Sequence, residues 1–117
     1  MRVALTVWKN RISPLFDSAG TLLITDIEDG RICKKYLEAI KSGSPCRRVG
    51  KLYDMGVQLL ICGGISDFYA NLIEAREIKI IPFTTGDIDE VLNAYINGNI
   101  YEKNYRMPGC EIVSCQH

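Results

Sequence analysis

Residues 57–64, Val-Gln-Leu-Leu-Ile-Cys-Gly-Gly, decide how this chain folds. The apolar run through 57–62 is what a strand buried on both sides looks like. Such a strand needs helices over the sheet, and the flanking sequence supplies them. Upstream, Ser44 is placed to cap a helix whose first residue, Pro45, loses nothing by lacking an N–H. Val49, Leu52 and Tyr53 share one face of it, and Gly56 is a natural stop. Downstream, Ser66 caps a second helix with Phe68, Leu72 and Ile73 at its apolar positions, and residues 78–83 form a further strand. A third helix closes the regular part: Asp87 and Glu90 have capping-box spacing, Ile88, Val91, Leu92, Tyr95 and Ile96 make the buried stripe, and Gly98 ends it.

Toward the N-terminus, residues 2–8 read as a β-rich first strand. Asn10, Ser13, Pro14 and Asp17 then break the pattern, which predicts a loop rather than a tight hairpin. Residues 20–40 read as two strands joined at Asp29 and Gly30, a two-residue turn whose positions both tolerate positive φ. The order is therefore β-β-β-α-β-α-β-α. A leading hairpin demands antiparallel neighbours and the later crossovers demand parallel ones. The expectation is an α/β fold with a five-stranded mixed sheet and helices on its faces, residues 57–62 being central and parallel to 78–83. That order is the one found in ribonuclease H-like folds.

With 117 residues, the chain suits one domain. The expectation is a single α/β domain over 1–103, followed by a flexible Cys-containing C-terminal tail over 104–117, where hydrophobic period fades. Fourteen basic residues balance fourteen acidic ones, so no net field points to nucleic acid or an anionic membrane. The N-terminal apolar run stops at Trp8, Lys9 and Asn10, too short for a signal peptide or a membrane span, and this predicts a cytoplasmic protein. Five cysteines in that setting read as thiols or metal ligands rather than disulfides.

Three stretches in order resemble one family. Residues 11–19 carry Ser13-Pro14, Phe16 and Ala19 in a Ser-Pro-x-Phe-x-x-Ala pattern, residues 46–66 give a helix, a glycine, an apolar strand and a Gly-Gly turn, and residues 84–100 give a final helix. Together they resemble the dinitrogenase iron-molybdenum cofactor biosynthesis family (NifX-like proteins), in its small stand-alone form. The resemblance covers most of 1–105 and implies a ribonuclease H-like fold and the binding or carrying of iron-sulfur precursors of nitrogenase cofactors. Two departures stand out. Where the family has a glycine before the last strand, this chain has Arg76 and Glu77. A non-glycine residue at positive φ costs on the order of 1 kcal/mol, so the second helix is expected to end differently. Relatives also carry histidines near the loop before the first helix, where this chain offers Cys46.

Cys46 falls in the first turn of a helix, where unpaired N–H groups, the helix dipole, Arg47 and Arg48 would favour a thiolate and hence a soft metal or cluster ligand. Gly63 and Gly64 follow a buried strand at its carboxyl end, where α/β sheets place ligands, and would let a backbone approach an anion or a cluster sulfide; a tight strand-to-helix turn is the other reading. Cys62 reads as strand packing and Cys33 as structural. Cys110, Cys115 and the sole histidine, His117, share the last eight residues. Thiolate-rich sites favour zinc, Cu(I) or iron-sulfur clusters, and a fourth ligand would come from Cys46, a partner subunit or a bound cluster; incidental cysteines are the alternative. Phe16 reads as a core plug, with Ser13, Pro14 and Asp17 fixing the loop.

The expected function is a non-enzymatic binding or carrier protein for an iron-sulfur cluster or a precursor of an iron-molybdenum cofactor, with zinc or no metal as the alternative. Its partner would be a metallocluster donor or acceptor protein, with no nucleic acid and no membrane; the oligomeric state is left open. The competing reading is a partner-binding or regulatory module without metal. Nuclease chemistry is disfavoured, because two-metal catalysis needs converging carboxylates and residues 2–8 contain none.

Overall fold

The computed structural model describes residues 1–40, 43–102 and 105–107. Strands β1 (Arg2–Trp8), β2 (Arg11–Ile12), β3 (Thr21–Glu28) and β4 (Arg31–Ala39) come first, then α1 (Pro45–Asp54), β5 (Leu59–Ile61), α2 (Asp67–Ala75), β6 (Lys79–Ile81) and α3 (Ile88–Ile96). The sheet runs β4-β3-β1-β5-β6, with β2 paired to β1 off that path. β1 is antiparallel to β3 and parallel to β5, and β5 is parallel to β6, so the sheet is mixed.

Period-two alternation divides the core. Ala4, Leu22, Ile24 and Leu60 face α1 and α2 with Val49, Leu52 and Ile73. Val3, Leu5, Leu23, Leu59 and Ile61 face α3 with Val91 and Leu92. Each valine, leucine or isoleucine among them, taken fully out of water, stabilises by about 1.5–3 kcal/mol before ordering costs. The caps form as the sequence indicates: Ser44 Oγ accepts from Arg47 N (3.3 Å), Ser66 Oγ from Tyr69 N (3.3 Å), and Asp87 Oδ1 from Asp89 N (2.9 Å) and Glu90 N (3.2 Å). No described helix is long and apolar enough to cross a membrane.

Three expectations are corrected. First, β5 is buried but not central; β1 holds the middle, since it takes β3 on one side and β5 on the other. Second, residues 8–11 do form a tight hairpin, with Lys9 at φ 51° and Asn10 at φ 64°. Neighbours impose it: Ile12 N–H donates to Gly86 O and Ile88 N–H to Asn10 O, each at 2.9 Å, while Lys9 Nζ lies 4.7 Å from the Trp8 ring centroid. Third, α2 ends as the glycine-bearing relatives would. Glu77 adopts φ 62°, its N–H donates to Glu74 O (2.9 Å), and Ile78 N–H reaches Ile73 O (3.4 Å). That is a Schellman ending with glutamate in the left-handed position. Helices α1 and α3 end the same way at Gly56 and Gly98.

Candidate functional site

The parallel strands β1, β5 and β6 end at one edge of the sheet, and α1, α2 and α3 begin there, as α/β connections require. Residues 13–20 lie across this edge. Gly64 N–H donates to Pro14 O and Phe16 N–H to Gly64 O, both at 2.7 Å, and Phe83 N–H donates to Gly63 O at 2.8 Å. A Cβ on Gly63 would run into Ser13 O and stand 2.7 Å from Pro14 O. The close approach these glycines allow is thus made by the protein's own loop, and the backbone at Gly63 and Gly64 is engaged by residues 14, 16 and 83.

The loop is held from beneath as well. Phe16 is fully buried, 5.2 Å from the Tyr69 ring in an edge-to-face pair. Arg48 is buried too: Nη2 donates to Phe16 O (2.7 Å) and Ala19 O (3.1 Å), and its guanidinium lies 5.2 Å from the Phe16 ring and 5.8 Å from that of Tyr69. Carbonyl acceptors and two aromatic faces offset the desolvation of a cation. Arg48 therefore pins the loop to α1. Asp17 Oδ1 accepts from Ser66 N (3.2 Å), fixing the loop to the start of α2 as expected.

Beside this loop opens a cleft of about 260 Å³ lined by Val7, Trp8, Ser13, Pro14, Ser18 and Ala19. Trp8 is 56% exposed at its mouth, and Leu15 and Phe68 are exposed as well. The sequence reading did not single out Trp8; a lone tryptophan two residues before Asn10, a type that tolerates the left-handed region, was the available signal.

The cysteines differ sharply. Cys46 is an exposed free thiol in the first turn of α1, at the edge described above. Cys62 is fully buried, and desolvation, helped by Asp17, pushes its thiol up to about 12. It stays protonated at neutral pH and is a poor ligand, in keeping with strand packing. Cys33 is exposed within β4 at the sheet's rim, so core packing is not its role. Cys110, Cys115 and His117 lie outside the described residues, among which no group of three His, Cys, Asp or Glu side chains is placed to hold a metal ion. The described residues alone thus offer a cluster one accessible soft donor at this edge, Cys46. Within the span assigned to the tail, residues 105–107 pair with 83–85: Thr85 N–H donates to Tyr105 O (3.0 Å) and Met107 N–H to Phe83 O (2.8 Å).

Comparison with known proteins gives a consistent result. The family described as "Dinitrogenase iron-molybdenum cofactor" matches residues 1–98. A Methanocaldococcus jannaschii protein of unassigned function is 26% identical over 105 residues, 86% of this chain and 89% of its own. The crystal structure of PH0822 superposes with a TM-score of 0.79 at 20% identity, covering 84% of this chain and 90% of the other. A provisionally assigned dinitrogenase of Methanocaldococcus jannaschii gives 0.68 at 23% identity, covering 85% and 90%. At these identities the solved structures share the fold.

Proposed function

The chain belongs to the dinitrogenase iron-molybdenum cofactor family, and on that premise we propose that it is a non-enzymatic carrier whose cargo is an iron-sulfur or iron-molybdenum-type metallocluster. The observation that carries this reading is the exposed thiol of Cys46, in the first turn of α1 at the carboxyl edge of the parallel strands. Sulfur ligands suit iron clusters and Cu(I), and cytoplasmic conditions keep such thiols reduced. One thiolate does not hold a cluster. In this reading Cys110, Cys115 and His117 supply the remaining donors, and the pairing of residues 105–107 with 83–85 starts their segment from the same edge. A cargo held partly by a terminal segment can be handed to an acceptor protein more readily than one in a closed four-ligand cage.

The strand order, with β2 set aside, reads third-second-first-fourth-fifth with the second strand antiparallel to the first, which supports a ribonuclease H-like assignment. A nuclease role finds no support in the carboxylates. β1 contains none, and Asp26 is taken up by Arg2, whose Nε is 2.7 Å from Oδ1. Asp26 pairs with the first residue of β1, away from the cleft.

The test is anaerobic reconstitution with iron and sulfide, followed by iron and acid-labile sulfide analysis. Wild type should load a cluster, whereas Cys46→Ala, and separately Cys110→Ala with Cys115→Ala, should lose most of the occupancy while far-UV circular dichroism is unchanged. Equal loading by all three proteins would overturn the assignment. Exposure of Trp8, Leu15 and Phe68 near the loop favours a second reading, a docking module without metal, since large apolar side chains of this kind anchor protein interfaces. Absence of bound iron and sulfide from wild type would favour it.

A further inference from the structure

Strand β4 closes one end of the sheet, and among the described residues no strand pairs with its outer side. None of its residues is buried, and Leu37 is 64% exposed. The sense of the free side can be read from the end of the strand. Thr21 stands opposite Ala39, and one step on Ile40 N–H donates to Gly20 O (3.0 Å). Antiparallel ladders alternate, so Lys34, Tyr36 and Glu38 turn their N–H and C=O toward β3, while Lys35, Leu37 and Ala39 turn theirs outward. Ala39 O accordingly accepts from Lys51 Nζ (2.5 Å), a side chain beyond the ladder. Lys35 and Leu37 therefore present open backbone groups along this edge.

An open edge this long recruits other strands unless it is guarded. The register shift opposite Asp26 and Ile27 disrupts β4 near Cys33, which leaves residues 34–39 as its regular part. Their charges select what can pair there. Lys34 and Lys35 come first and Glu38 last, so a parallel copy in register would set lysine beside lysine. An antiparallel copy would not. Residues directly opposite share a face of the sheet, so a two-fold axis must fall on a residue. Centred on Lys35, the axis puts two lysines opposite each other; centred on Leu37, it leaves Lys34 facing Ile40. Centred on Tyr36, it sets Lys34 of each copy opposite Glu38 of the other.

We propose that β4 pairs with β4 of a second copy of this chain, antiparallel about a two-fold axis at Tyr36, so that the sheet continues from one molecule into the next. Lys35 of one copy and Leu37 of the other then exchange both backbone hydrogen bonds, twice over by symmetry. The Lys34 and Glu38 pairs fall at the intervening positions, where side chains stand closest. Both lie on the face of α1 and α2, since their neighbours on β3 include Leu22. Glu38 Oε2 is 3.2 Å from Lys51 Nζ, and a carboxylate has lone pairs for a second ammonium. On the α3 face the exposed Leu37 of each copy meets the Lys35 stem and, diagonally, the other Leu37. The contact uses neither Cys46 nor the first loop, so it stands or falls separately from the carrier reading.

Sedimentation equilibrium of the full, metal-free chain tests this, in reductant so that Cys33 cannot form a disulfide. Wild type should show a reversible monomer–dimer equilibrium that salt weakens. Glu38→Lys sets lysine opposite lysine, and Lys34→Glu sets glutamate opposite glutamate, so each should raise the dissociation constant about tenfold. Mixing these two variants should yield a heterodimer, because every charge pair across it is then of opposite sign. The double variant Lys34→Glu, Glu38→Lys should regain wild-type association, with far-UV circular dichroism unchanged throughout. A wild type that stays monomeric at millimolar concentration would overturn the proposal. So would single variants that associate as wild type does, or that fail to associate with each other, because the contact would then lie on another face.

Discussion

Replacing Glu77 by glycine should stabilise this protein, although glycine usually weakens a helix. Glu77 holds the left-handed position at the end of α2 with φ 62°, the place taken by Gly56 (φ 75°) in α1 and Gly98 (φ 81°) in α3. An L-residue there costs about 1–2 kcal/mol through crowding of its Cβ. Glycine removes that strain but adds freedom to the unfolded chain, a counter-effect of about 0.4–1 kcal/mol. The Glu77 side chain is exposed, so its packing contributes little to the balance. The net gain expected for Glu77→Gly is about 0.5–1 kcal/mol, or a rise in melting temperature of about 2–5 °C for a domain of this length. Urea unfolding followed by circular dichroism, with an unchanged m-value, would measure it. Glu77→Ala is the control, because alanine keeps the Cβ and should stay within about 0.5 kcal/mol of wild type. A Glu77→Gly variant less stable than wild type would refute the reasoning, since that is how glycine behaves at an ordinary helical position.

At Gly63 the sign reverses. A methyl group would collide with the Ser13 and Pro14 carbonyls, which belong to backbone that cannot rotate away, so Gly63→Ala should destabilise by about 1–3 kcal/mol in the same urea assay. Cys62 should resist alkylation in the native state while Cys33 and Cys46 react, a difference that peptide mass spectrometry resolves. Its thiol, moved from 9.0 to about 12, also has a pH consequence. The contribution is fully present below the unfolded value and is lost as pH rises from there through the folded value, so stability should fall between about pH 9 and 12 and fall less in Cys62→Ala.

Much of the architecture was written in neighbouring residues. The β-rich apolar run of β1, the apolar run of β5, the Asp29 and Gly30 turn and the caps at Ser44, Ser66 and Asp87 all depend on side chains acting within a few positions of themselves. That is why the element order, the mixed sheet and the family resemblance were legible without coordinates. The chemistry was legible only as a set of residue types, with Cys46 and the terminal Cys110, Cys115 and His117 marked by being soft donors.

Tertiary structure decided what depends on distant partners. Lys9, Glu77 and Phe83 occupy left-handed conformations that their own propensities disfavour, each in a segment bonded or packed into the surrounding fold. Arg48 is drawn inward by carbonyls 29 and 32 residues away. The glycines at 63 and 64 make room for the first loop, and residues 105–107 return to pair with 83–85. Short-range propensity is set by backbone sterics within a turn or two and can be read along the chain. The free energy that overrules it comes from burial and hydrogen bonds between segments that only the folded sheet brings together.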